Sequence, residues 1–110
     1  MTKICVLSGL EIPKGKESRE HYCCKSRFPK YIWADKRNIF DAHYLLNNLK
    51  KNLLPCEWAD EKFKLVYQAL GYRCLQEDDR DFLRKTLDHW YDGWEIPPCQ
   101  ICLAKCKQRG

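Results

Sequence analysis

At 110 residues the chain has room for one small domain with a modest core, a size at which a metal staple adds appreciably to stability. No apolar run approaches the roughly 18 residues of a spanning helix, and the first residues lack the apolar stretch and small-residue cleavage site of a secretory signal. A membrane or secreted protein is therefore not expected, and the cytoplasm, or the nucleus of a eukaryotic cell, is. The net charge of +5 is uneven, since residues 1–51 carry 11 basic and 5 acidic residues while residues 52–110 carry 9 and 10.

Without a secretory signal, the eight cysteines read as thiols and metal ligands rather than as a disulfide framework. The basic surplus lies on the half richest in metal and phosphate chemistry, as a phosphate-binding face requires. Taken alone, such a surplus is also the ordinary mark of a solvated face.

In chain order, residues 3–7 are a short apolar run ending in Ser8-Gly9, which predicts a strand entering a turn. The stretch CVLSG has the outline of half a zinc knuckle, with serine at the second ligand position, and Cys5 reads equally well as a small buried hydrophobe. Residues 10–18 hold Pro13, Gly15 and Ser18 without periodicity and predict a loop. Residues 19–24 predict a strand, across which Glu20 and His21 point to opposite sides. Residues 25–37 interleave Phe28, Pro29, Tyr31 and Trp33 with basic residues, which predicts a long loop packed by its aromatics.

Residues 38–43 predict a second strand and residues 44–52 a helix with Leu45, Leu46, Leu49 and Leu53 inward, Asn47 and Lys50 sharing the opposite face, and Pro55 closing it. Glu57, Asp60 and Glu61 open another helix, whose stripe is Phe63, Val66, Tyr67 and Leu70. Asp78, Asp79 and Asp81 open a third, with Leu83, Leu87, Trp90 and Trp94 inward. These aspartates suit capping and dipole complementarity better than paired-carboxylate catalysis. In the tail, Cys99, Cys102 and Cys106 share a helical face at a spacing that suits zinc, with Cys5 the best partner for a second half-site. A cysteine-rich apolar stripe without metal reads almost as well.

The ordered set CVLSG, SREH and NIFDAHYLLNNLKKN resembles the HNH endonuclease family over residues 5 to about 55. The carrying positions are Glu20-His21, Asn38, Asn47 nine residues later, and Lys50 three further on. The resemblance departs at Ser8, at His43 and Leu46 where the family often has cysteines, and at Lys51 where it usually has glycine. It implies an α+β fold with a small ββα-metal core over residues 5–55; the residues themselves lead us to expect supporting helices and a Cys-rich tail over residues 56–110 of the same single domain, and a structural zinc on Cys5, Cys99, Cys102 and Cys106.

The implied chemistry is a one-metal, histidine-base hydrolysis of DNA, with RNA left open as substrate. His21 takes a proton from the attacking water and Asn38 holds the His21 loop. Glu20 and Asn47 hold one magnesium or manganese ion, and Arg19, Lys25, Arg27 and Lys50 contact phosphates. Action as a homodimer or within a larger nucleic-acid-processing complex would supply the specificity so short a chain lacks room for. The rival reading is a catalytically inactive, zinc-stabilised nucleic-acid-binding or adaptor module on the same scaffold. A third is an interaction protein with a Trp90, Tyr91 and Trp94 patch.

Overall fold

Strand β1, Glu17–His21, pairs antiparallel with β2, Ile39–His43, placing Arg19 opposite Asp41 and His21 opposite Ile39. Between them lie a one-turn helix α1, Lys30–Trp33, and a 3-10 turn, Lys36–Asn38. β2 leads directly into α2, Tyr44–Lys50, and helices α3, Pro55–Leu70, and α4, Glu77–Tyr91, follow, so that the described residues form a small α+β fold with one two-stranded sheet and four helices. The computed structural model describes residues 3–23 and 28–97. Among these, no helix is long and apolar enough to cross a membrane, and Cys5 and Cys74 are free thiols.

Local chemistry moves several of the expected boundaries. Residues 3–7 make only an isolated bridge, Ile4 to Glu11, because the chain doubles back at once: the Gly9 N–H donates to the Cys5 carbonyl (2.8 Å) and the Cys5 N–H to the Leu10 carbonyl (2.8 Å). The Val6 N–H donates to the Asp41 carbonyl (3.0 Å), which ties this turn to β2. The expected loop over residues 25–37 contains α1 and the 3-10 turn, the latter started by the Asp35 side chain accepting from the Arg37 N–H. Pro55 opens α3 rather than closing α2, its missing N–H being free of cost at a first helical position. Glu57 reaches back to the Leu54 N–H (2.7 Å) to satisfy another donor of that first turn. α2 stops instead at Lys51, which takes a positive φ of 49°.

The inward stripes are rotated from those expected. On α3 the buried residues are Pro55, Trp58, Lys62, Val66 and Ala69, leaving Phe63 and Leu70 half-buried and Tyr67 exposed. On α2 Leu46 and Lys50 are buried while Leu45 and Leu49 are partly so. On α4 Leu83, Leu87 and Trp90 go inward as expected, joined by Asp79, Phe82 and Thr86. One core results, with Cys5, Leu7, Tyr22, Ala42, Leu46, Trp58, Val66 and Leu83 at its centre. Trp58 crosses it, donating its indole N–H to the Leu7 carbonyl (3.3 Å) and so anchoring α3 to the N-terminal turn.

Gly9 holds a φ of +81°, and a Cβ there would lie 2.5 Å from the Trp94 ring. Gly15 has a similar φ of +85° but open space around it. Gly9→Ala is expected to cost about 2 kcal/mol or more and Gly15→Ala about 1 kcal/mol, the difference being the displaced indole. Urea unfolding of both variants measures this; equal costs would mean that Trp94 does not rest on Gly9.

Candidate functional site

Alternation along β1 divides the expected site between two faces. Ser18 and Glu20 turn toward α2, whereas Arg19, exposed, and His21, half-exposed, turn outward. His21 closes the strand, and its ring meets Trp33 edge-on at 5.9 Å. Behind it, the buried Asn38 side chain acts as a clamp. Its Oδ1 accepts from the Cys23 N–H, while its Nδ2 donates to the Cys23 carbonyl (3.0 Å) and the Trp33 carbonyl (3.0 Å). The Tyr22 N–H adds a bond to the Asn38 carbonyl (2.9 Å), so the backbone just beyond His21 is held from both chain and side chain.

From α2, Asn47 leans on the same strand, donating its Nδ2 to Ser18 Oγ (3.0 Å) and to the Arg19 carbonyl (3.1 Å). Lys50, one turn later, is fully buried and gives Nζ to Glu20 Oε1 (3.1 Å) and to the Tyr22 carbonyl (3.2 Å). The expected phosphate contact of Lys50 therefore needs correction. Lys50 has no surface to offer a phosphate, and Glu20 is engaged by an ammonium. The cause is geometric, because the helix face three residues beyond Asn47 turns into the sheet rather than out to solvent. Burial pushes the Glu20 carboxyl above its ordinary range, the Lys50 charge opposing. Its Oε2 is buried without a hydrogen-bond partner.

Of the remaining expected residues, Lys25, Arg27, Cys99, Cys102 and Cys106 lie outside the described residues. The Cys5 sulfur is enclosed in the core and accepts from the His43 N–H (3.3 Å), and Ser8 Oγ accepts from the Leu10 N–H (3.2 Å). The knuckle outline is thus retained by backbone turns, with its sulfur and hydroxyl both used on N–H groups. Among the described residues no three His, Cys, Asp or Glu side chains gather as a metal centre.

Comparison with protein-family models, with curated proteins and with solved structures finds no match. The site stands on its geometry.

A second cluster, unforeseen in the sequence, lies where β2 becomes α2. His43 caps α2, its Nδ1 accepting from the Leu45 N–H (3.1 Å), which leaves its Nε2 to carry the proton of the neutral ring. That nitrogen lies 3.8 Å from Asp79 Oδ1 on α4, while the ring stacks on Phe82 at 4.1 Å. Asp79 accepts from the Tyr44 hydroxyl and faces Lys16 Nζ at 3.4 Å. Burial brings the His43 imidazole down to about 4, with Asp79 and Asp78 pulling it up and Lys16 pushing further down. The three acids at the start of α4 signalled a helix N-terminus, but nothing in them told which one turns inward.

Two outcomes follow from these buried groups. Lys50→Met is expected to cost roughly 3–5 kcal/mol because it strands the Glu20 charge, and Glu20→Gln with Lys50→Met to recover most of it. Chemical denaturation of the single and double variants would refute the pair's role if the single loss were below the double. For His43, the unfolded ring protonates near 6.5 and the folded ring only near 4. Between those values the unfolded state binds more protons, so stability falls as pH drops through the window, by roughly 3 kcal/mol in total. The difference between wild type and His43→Asn across pH 7 to 4 isolates this contribution; parallel curves would contradict it.

Proposed function

We propose that the chain is a metal-dependent endonuclease of the HNH type, hydrolysing DNA phosphodiester bonds with His21 as general base. The observation that carries this reading is the Asn38 clamp, which fixes the backbone beyond His21 while leaving the imidazole half-exposed at the end of the hairpin. The order strand, connection, strand, helix, with α2 packed on the sheet, supports a ββα core around it. His21 takes the proton of the attacking water. Arg19, exposed on the same face of β1, supplies a cation to the phosphate backbone, which positions a duplex without reading its sequence.

The proposed oxygen donors for a divalent ion are on the α2 side of β1, the face opposite His21. Glu20 Oε2 is a buried carboxylate oxygen without a partner, and the two Nδ2 bonds of Asn47 leave its carbonyl oxygen as the group left to donate electrons. Glu20 and Asn47 would hold magnesium or manganese, which when bound supplies Lewis-acid stabilisation of the phosphoryl and leaving oxygens. Lys50, in place of a phosphate contact, orients the Glu20 carboxylate from its other oxygen.

One observation favours the inactive binding module instead: the Glu20–Lys50 pair already neutralises the acid internally. The two readings separate in one assay. Supercoiled plasmid is incubated at low salt with wild type and His21→Ala, with magnesium, manganese or excess chelator. Nicking that needs metal and drops by roughly a hundredfold or more in His21→Ala is the expected outcome. A variant that nicks at the wild-type rate would remove His21 from the role of base, and salt-sensitive binding without any nicking would establish the binding module.

A further inference from the structure

Lys62 lies on the buried stripe of α3, between Trp58 and Val66, where the helical period calls for an apolar residue. Its side chain is 7% exposed. The ammonium sits among three rings, 4.6 Å from the centroid of Trp90, 5.4 Å from Trp94 and 5.6 Å from Phe63. These faces attract a cation but accept no ordinary hydrogen bond, and no described carboxylate comes within ion-pair distance. Glu95 acts on Lys62 only at longer range, and burial holds its amine below the ordinary lysine range.

Beside Lys62 opens a cavity of about 470 Å³, walled by Ala59, Phe63, Trp90, Trp94 and Ile96 and bordered by Glu95. The indole N–H of Trp90 is buried and has no acceptor among the described residues. One wall therefore carries an ammonium with no carboxylate at ion-pair distance among the described residues, in a cavity of the volume that small ligands fill. Burying such groups is costly unless something pairs with them.

The chemistry narrows the occupant. A single ammonium matches a single negative charge, whereas a phosphate dianion would meet one cation and the repulsion of Glu95. The remaining walls are aromatic and aliphatic, so the body of the ligand is apolar. We propose that the cavity between α3 and the segment after α4 binds a small apolar monocarboxylate, its carboxylate on Lys62 and its hydrocarbon body against Trp94, Phe63 and Ile96. This site is independent of the nuclease reading.

The test titrates the full chain with phenylacetate, following the Trp90 indole resonance, with phenylacetamide and inorganic phosphate as controls. Phenylacetate is expected to bind roughly tenfold or more tightly than phenylacetamide, because the amide lacks the charge that Lys62 pairs with. Phosphate should leave the resonance unmoved. Lys62→Met should erase the preference for the acid, and Glu95→Gln should tighten phenylacetate binding by removing the like charge at the rim. Equal affinity for acid and amide in the wild type, or an unmoved resonance with phenylacetate, would overturn the proposal even if Lys62→Met failed to fold. An unchanged preference in a folded Lys62→Met protein would overturn it as well.

Discussion

The ion pair between Glu20 and Lys50 is the constraint on which the N-terminal half is built. Both groups are buried, so each has lost its hydration, and the only compensation is the other and the Tyr22 carbonyl. A pair under that obligation cannot tolerate a shift of α2 along the sheet, because a lengthened contact would leave two bare charges. The helix is thereby registered against β1, and Asn47, one turn earlier, falls on Ser18 and the Arg19 carbonyl. The placement of Asn47 against β1 therefore follows from this pair.

The C-terminal half closes on this unit through a second buried polar group. His43 sits at the one residue shared by the end of β2 and the cap of α2, and it is sandwiched between Tyr44 and Phe82. Asp79 joins it from α4 and takes the Tyr44 hydroxyl, so the first turn of α4 is fixed to the strand-to-helix junction. Trp58 does the equivalent from α3 at the Leu7 carbonyl. The helices are therefore part of one core and not an appendage to the hairpin, which is why burial in this chain is shared among elements far apart in sequence.

The elements were legible wherever local chemistry decides them. The run from Ile39 into Tyr44 shows its change of period in the residues themselves, and the acids before α3 and α4 mark those helices plainly. What could not be read was the rotation of each helix about its axis. Lys50 was expected to meet phosphate and Lys62 drew no reading at all, and both point inward because partners from remote segments, Glu20 in one case and Trp90 and Trp94 in the other, surround them. For Lys62 a signal did exist. Trp58, Lys62, Val66 and Ala69 keep a helical period in which lysine replaces an apolar residue. For Asp79 there was none, since three neighbouring acids in a first turn are equivalent until a tertiary partner selects one.

The same ion pair bears on which functional reading the geometry supports better. Were Lys50 simply a replacement for a metal, both oxygens of Glu20 would be best satisfied by ammonium or by a second donor. Lys50 engages only Oε1, and its remaining acceptor is the Tyr22 carbonyl rather than Oε2. A buried carboxylate oxygen without a partner costs roughly 1–3 kcal/mol, a cost that a freely drifting, non-catalytic scaffold could shed by changing acid to amide or to an apolar side chain. Lys50 thus holds the acid by one oxygen and leaves the other without a hydrogen-bond partner among the described residues. The proposed metal role of Glu20 rests on that oxygen, and Lys50 acts on it only by positioning the carboxylate.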